Sequence, residues 1–280
     1  MPFRKHLTTA LLCLLLLTGV CLIAYPTFSD WWNSFHQSRA IVSYTEAVSD
    51  MGNAEYGRLI GEAEEYNRSL SRTGVLWHMT EEQKEEYRQE LAFNNAGIMG
   101  YLDIPKIRVS LPVYHGISES VLQTSIGHIE GTSLPVGGEG SHCVLSGHRG
   151  LPSARLFTDL DRLQPGDTWT LTVLNETLTY ECDQILVVLP EDLSPIRIFP
   201  GQDYCTLLTC TPYGINTHRL LVRGHRTRNA QGDAKVVADA IQIQTIYTAP
   251  FFAVPVLLLL FFRFMLTPVK RRDREREELL

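Results

Sequence analysis

Thr206-Leu-Leu-Thr-Cys210-Thr-Pro-Tyr-Gly-Ile-Asn-Thr-His-Arg219-Leu-Leu-Val222 is the stretch on which the reading of this chain turns. An apolar run ends in a cysteine, a Pro/Gly/Asn turn follows, and a second apolar run opens with an arginine. That layout predicts two strands joined by a loop, with a thiol and a permanent cation brought to the loop end. A cysteine beside a cation is one way a protein obtains a thiolate at neutral pH. Such a thiol needs a base and a setting, and both must come from elsewhere in the chain.

Working outward, the neighbouring segments are also β-rich. From Gly100 the chain reads Tyr101-Leu-Asp-Ile-Pro-Lys-Ile-Arg-Val-Ser-Leu-Pro-Val-Tyr-His115, with prolines that suit edges and bulges. Further strands are predicted at 141–147, 168–174, 177–189, 204–210 and 220–224, with Asn175-Glu176 turning a hairpin. Many short strands between turn signals predict a sandwich or a barrel. A short helix is predicted at 153–159, before the Pro165-Gly166-Asp167 turn. Residues 26–96 read instead as helical and polar. Asp50-Met-Gly-Asn53 breaks the first helix. Tyr56, Leu59, Ile60, Ala63 and Tyr66 line one face of a second. Thr80-Glu-Glu-Gln83 has capping-box spacing and opens a third. This region reads as a spacer that stands the β-rich part away from the lipid.

The lipid enters from the chain ends. The chain has 280 residues, 44% of them hydrophobic and 20% charged, with a net charge of -6, which argues against nucleic acid. Leu7 to Ala24 holds eight leucines and no charge, after Arg4, Lys5 and His6. The run is just long enough to cross a bilayer. A cleaved signal peptide is the rival, but its apolar region usually runs ~7–15 residues. A second uncharged run, Ala240 to Phe262, is followed by Arg263 and Lys270-Arg-Arg272. Positive charge on both outer flanks places both termini in the cytoplasm. The predicted organisation is a cytoplasmic start (1–6), a membrane anchor (7–25), a helical extension with a possible lid (26–96) and a β-rich catalytic part (97–228). A linker (229–243), a second span (244–264) and a cytoplasmic tail (265–280) complete it.

Four cysteines then lie outside the cell: Cys143, Cys182, Cys205 and Cys210. Cys205 and Cys210 are five apart on one strand, so alternation sends them to opposite faces. Cys143, Cys182 and Cys205 read as small core residues. No Cys-x-x-Cys pair is present, and neither a metal nor a cofactor is expected. Of the eight histidines between the spans, His148 has the most suggestive setting. It follows an apolar run and sits in Ser146-Gly-His-Arg-Gly150, where glycines let the backbone turn sharply. Arg219 offers a fork of donors to a carbonyl oxygen that gains charge.

His148 in Ser-Gly-His-Arg-Gly, Cys210 in Thr-Leu-Leu-Thr-Cys, and Arg219 nine residues on resemble the sortases, cysteine transpeptidases of the outer face of Gram-positive membranes. The longer strings at 131–140, 147–157 and 209–219 resemble class C, the pilin-polymerising branch. The resemblance covers about residues 97–228. It implies an eight-stranded β-barrel, here with an N-terminal helical extension and two transmembrane helices. It also implies a mechanism in which Cys210 attacks a Leu-Pro-x-Thr-Gly-like sorting signal. Arg219 steadies the oxyanion or positions substrate, and His148 protonates the leaving amine. A pilin lysine then resolves the thioacyl enzyme. Attachment of surface proteins to peptidoglycan, or hydrolysis by water, are the competing outcomes. Many class C members carry an Asp-Pro-aromatic lid. Here the corresponding Thr73-Gly-Val-Leu-Trp-His-Met-Thr80 lacks Asp-Pro, and Trp77 is left as the candidate cover. Thr209 and His218 are candidate substrate contacts.

Overall fold

A computed structural model describes residues 2–93, 97–229 and 263. The chain divides into two compact units, Met1–Ala238 and Asp239–Leu280. Of the second unit only Arg263 is described, so the predicted second span lies almost wholly outside the described residues.

The β-rich part closes into a barrel of eight strands, β1 (Ile98–Ile104), β2 (Val109–His115), β3 (Ile126–His128), β4 (Ser141–Ser146), β5 (Thr168–Val173), β6 (Glu176–Val188), β7 (Asp203–Thr211) and β8 (His218–Thr227). Around the barrel they run β1-β2-β3-β4-β7-β8-β6-β5. Most neighbours are antiparallel, but β2 and β3 are parallel, and so are β4 and β7, with Ser141 opposite Asp203 and Ser146 opposite Leu208. β4 and β7 therefore finish, and β8 starts, at the same end of the barrel. The opposite end, where β4 and β7 start, is its base.

Alternation sorts these strands as the sequence predicts. Cys205 and Leu207 enter the large apolar core with Cys143, Trp169, Tyr180 and Val222. Val144, Leu208 and Leu221 pack together on the other side of the sheet, under Ile196 from the β6–β7 loop. All six cysteines are unpaired. Three details differ from the sequence reading. β3 is a strand it does not contain, too short at three residues to show an alternation. The hairpin turns at Leu174-Asn175, with Val173 opposite Glu176. No helix forms at 153–159. The chain there runs in turns, and a single 3₁₀ turn follows at Leu160–Arg162.

Three long helices precede the barrel. α1 is one helix from Pro2 to Ser49, with Pro26 inside it. Its N-terminal part is long and apolar enough to cross a membrane, with a mean hydropathy of 2.2 and only 6% of the best window buried. Beyond that part α1 lies along the barrel wall. Asp30 Oδ1 accepts from the Arg155 N–H at 2.7 Å, and Asn33 Nδ2 donates to Ser153 O at 2.7 Å. Farther on, Tyr44 is buried, donates its hydroxyl to Met99 O at 2.9 Å and accepts from Leu174 N–H at 2.7 Å.

α2 (Asn53–Thr73) packs toward the barrel's base, where Asn67 meets Leu134 and Gly137, and α3 (Glu81–Gln89) packs on the ends of β2 and β3, where Tyr87 meets Gly116 and His128. Leu59, Ala63, Asn67 and Leu70 form the buried face of α2. Asn67 bonds both ways with Leu134, taking its N–H at 2.6 Å and donating to its carbonyl at 3.0 Å. α3 opens with the predicted capping box of Thr80 and Gln83. The helical extension is not a spacer. It wraps the barrel, and its second helix sits at the end away from the point where α1 arrives.

Candidate active site

The strand register assembles the site. Cys210 on β7 lies directly opposite Arg219 on β8. By period-two alternation both side chains share the face that carries Leu208 and Leu221, outside the core. His148 stands two residues beyond the end of β4, which is hydrogen-bonded alongside β7. The bond from Gly147 N–H to Leu208 O at 3.1 Å continues that ladder past the strand end. Thiol, guanidinium and imidazole thus come from three adjacent strands at one rim. Cys210 and Arg219 are half-buried, and the His148 side chain is 30% exposed. Elsewhere in the barrel, burial pushes the Cys182 thiol up to about 11 and raises the Cys143 thiol well above its ordinary value. Cys210 is the half-buried thiol of the barrel, accessible to a substrate carbonyl.

Local packing holds each group. Gly147 has no room for a side chain, because a Cβ there would lie 2.8 Å from both Ile126 and Phe157. The chain then turns outward at His148, whose carbonyl accepts from Phe157 N–H at 3.1 Å. Gly150 completes the turn with a φ of 81°, a conformation that favours glycine. Arg219 Nη1 donates to Asn216 O and His218 O, both at 3.2 Å, which ties the guanidinium to the end of the β7–β8 loop.

Other residues join that the sequence reading did not single out. Arg149 donates to Thr211 Oγ1 at 3.2 Å and to Asp161 at 2.5 Å, tying the His148 loop to the end of β7. Its only sequence signal was its place between His148 and Gly150. Glu119, on the short helix α4 (Glu119–Leu122), sets a carboxylate oxygen 3.9 Å from His148 Nε2. It is an exposed pair of modest strength.

The remaining candidates lie elsewhere. Thr209 is 1% exposed and donates its hydroxyl to Gly147 O at 2.7 Å, so it positions the His148 loop and does not face substrate. His218 alternates to the opposite face from Cys210, and its Nδ1 pairs with Thr217 Oγ1 at 2.9 Å. Trp77 is 38% exposed. Leu76 beside it donates its N–H to Gly131 O at 3.0 Å, in the loop that pairs with the base half of β4. His142, the other histidine on β4, is buried under the β6–β7 loop. Its Nδ1 meets Arg197 O and its Nε2 meets Thr206 Oγ1, each at 2.7 Å. Burial lowers it to about 4, so it stays neutral and structural.

A sortase-domain family profile matches residues 102–227. Among solved structures, sortase C1 of Streptococcus agalactiae shares 56% identity at a TM-score of 0.68, covering 69% of this chain and all (100%) of that one. This chain belongs to the sortase family. Streptococcus pneumoniae sortase C is also similar to this sortase, at 43% identity and a TM-score of 0.62, over 68% of this chain and 97% of that one. Among curated proteins, Sortase D of Bacillus subtilis (strain 168) is 31% identical over 130 residues, 45% of this chain and 63% of that protein. Sortase A of Streptococcus agalactiae serotype III (strain NEM316) is 30% identical over 121 residues, 42% of this chain and 49% of that protein. The sortase thus spans about half to two thirds of the length of these two curated relatives.

Proposed function

We propose that this sortase is a membrane-anchored cysteine transpeptidase that joins pilin subunits, with Cys210 as nucleophile, His148 as acid/base and Arg219 as oxyanion donor. The single observation that carries this reading is the Cys210–Arg219 pair across the β7–β8 ladder, with His148 on the adjoining strand end. A nucleophile, a proton carrier and a cation on one accessible face are what acyl transfer through a thioester requires.

In this mechanism the Cys210 thiolate adds to the Thr carbonyl of a Leu-Pro-x-Thr-Gly-like signal. Arg219 meets the charge on the tetrahedral oxygen. The imidazolium of His148 gives its proton to the leaving glycine amine, and the thioacyl enzyme forms. A lysine amine of the next pilin, deprotonated by His148, then attacks the thioester and frees Cys210.

Two features support the pilin acceptor over peptidoglycan. One is the likeness to C-type sortases, including a Streptococcus pneumoniae enzyme studied for its pilin substrate specificity. The other is the second apolar run in the sequence, which would add a span at 244–264 with both termini cytoplasmic. The test is to incubate the full chain in vesicles with a sorting peptide and a lysine-bearing pilin domain. Isopeptide product that vanishes in Cys210→Ala supports the reading. Release of hydrolysed peptide alone, with competent pilin present, overturns it.

A further inference from the structure

The way α1 meets the barrel fixes which end of the enzyme looks at the lipid. Asp30 is the first acidic or basic residue after the apolar run that begins at Leu7. Asp30 is also where α1 takes hold of the barrel, through the Arg155 N–H at 2.7 Å. One turn later Asn33 holds Ser153 O at 2.7 Å, and Gln37 holds Thr124 O at 2.5 Å. Ser153 and Arg155 belong to the loop that starts at His148 and returns to it through the Phe157 N–H. Tyr44, fourteen residues after Asp30, reaches the base, at the start of β1 and the β5–β6 turn. The helix thus runs down the barrel wall from the catalytic rim to the base. Its apolar part projects beyond the rim.

The distances are short. A helix rises ~1.5 Å per residue, so Phe28 lies only ~3 Å along the axis from Asp30. The headgroup layer on each side of a bilayer is on the order of 5–8 Å thick. The loop bearing His148 therefore meets α1 at headgroup depth. The surface chemistry agrees. Phe28, Trp31, Trp32 and Phe35 are exposed on α1 at this level, the residue types that gather at the lipid–water boundary. The β7–β8 loop of the same rim exposes Tyr213 at 59% and Ile215 at 68%, and Leu189 just past β6 is exposed at 51%. The Tyr213 ring lies within 6.0 Å of the Arg149 guanidinium, next to His148.

We infer that the catalytic rim of the barrel faces the bilayer and rests in its headgroup layer, with Tyr213 and Ile215 dipping toward the lipid. This rests on the reading of α1 as a membrane anchor. The occupant of the rim's apolar tips is phospholipid, because those tips continue the aromatic belt of a helix already in the membrane. The scissile bond is then presented at the membrane surface, and the base with α2 points away from it.

The test uses the full chain, carrying Cys21→Ser and Cys210→Ala, in phospholipid vesicles with a fraction of nickel-chelating headgroups. One nitroxide is attached at Ile215→Cys. A second preparation carries it at Glu139→Cys, an exposed position at the base. Flotation with the vesicles is scored first. Floated protein with several-fold faster nitroxide relaxation at 215 than at 139 is the expected result. Floated protein with equal relaxation at both sites, or faster relaxation at 139, overturns the inference and leaves the rim's apolar tips to a protein partner. Protein that does not float overturns the anchor reading instead, so the two failures are distinct.

Discussion

At the residue scale, the site depends on side chains that hold others in place. Thr209 is the clearest case. It faces the interior and its single hydroxyl bond to Gly147 steadies the turn that projects His148. A hydrogen bond of this kind contributes about 1 kcal/mol, and the same loss at a transition state is about fivefold in rate. Thr209→Val is therefore expected to lower kcat for sorting-peptide cleavage by about fivefold, with an unchanged circular dichroism spectrum and recovery in Thr209→Ser. An equal loss in Thr209→Ser would count against that role. Gly147→Ala is a harsher change, because the new methyl meets Ile126 and Phe157 at 2.8 Å. We expect a folded protein with activity reduced more than in Thr209→Val, read by peptide cleavage at matched secondary structure.

At the scale of elements, most barrel strands were legible in the sequence, while the three-residue β3 and the helices' placement were not. Period-two alternation sent Cys205 inward and Cys210 outward, and the loop between two apolar runs set Arg219 across from the thiol. Those are local patterns. The contacts that place α1 against the catalytic rim join Asn33 to Ser153 and Asp30 to Arg155, more than a hundred residues apart, and leave no periodic trace. The same holds for Trp77, whose position follows from the Leu76–Gly131 bond. Deleting the aromatic ring in Trp77→Ala is accordingly expected to leave sorting-peptide hydrolysis unchanged. A severalfold rise would restore the lid reading. Asn67→Ala acts on the base instead. It leaves the Leu134 N–H and the Leu134 and Gly137 carbonyls without their partner. A loss of about 1–3 kcal/mol is expected in denaturant unfolding, with the catalytic rim unaffected at room temperature.

At the scale of the whole molecule, two buried neutral histidines make the fold sensitive to acid. His128 is fully buried, bonds Tyr87 and Ser133, and is lowered to about 4 by burial. His142 is lowered likewise. In the unfolded chain both take a proton near 6.5, while in the folded barrel they resist it down to about 4. The unfolded state therefore binds more protons in that window, and stability falls as pH drops through it, by at most about 3 kcal/mol for each histidine. Asp103 and Asp203, raised by burial, slope the other way. The histidine share is read by comparing the melting temperature against pH in this chain and in His142→Gln, whose profile should be flatter between pH 6.5 and 4. Parallel profiles would overturn the assignment.

The parallel pairing of β4 and β7 also bears on how activity is acquired during folding. These strands are some sixty residues apart, with Cys143 opposite Cys205. A contact of such sequence separation forms late, because loop entropy is lost before the contact is gained. The β5–β6 hairpin and the α3 capping box are local and form early. In a refolding experiment, backbone structure should return before catalytic competence does. Cys210 and His148 meet only when the two strands dock, so turnover would report the docking of the β4–β7 seam.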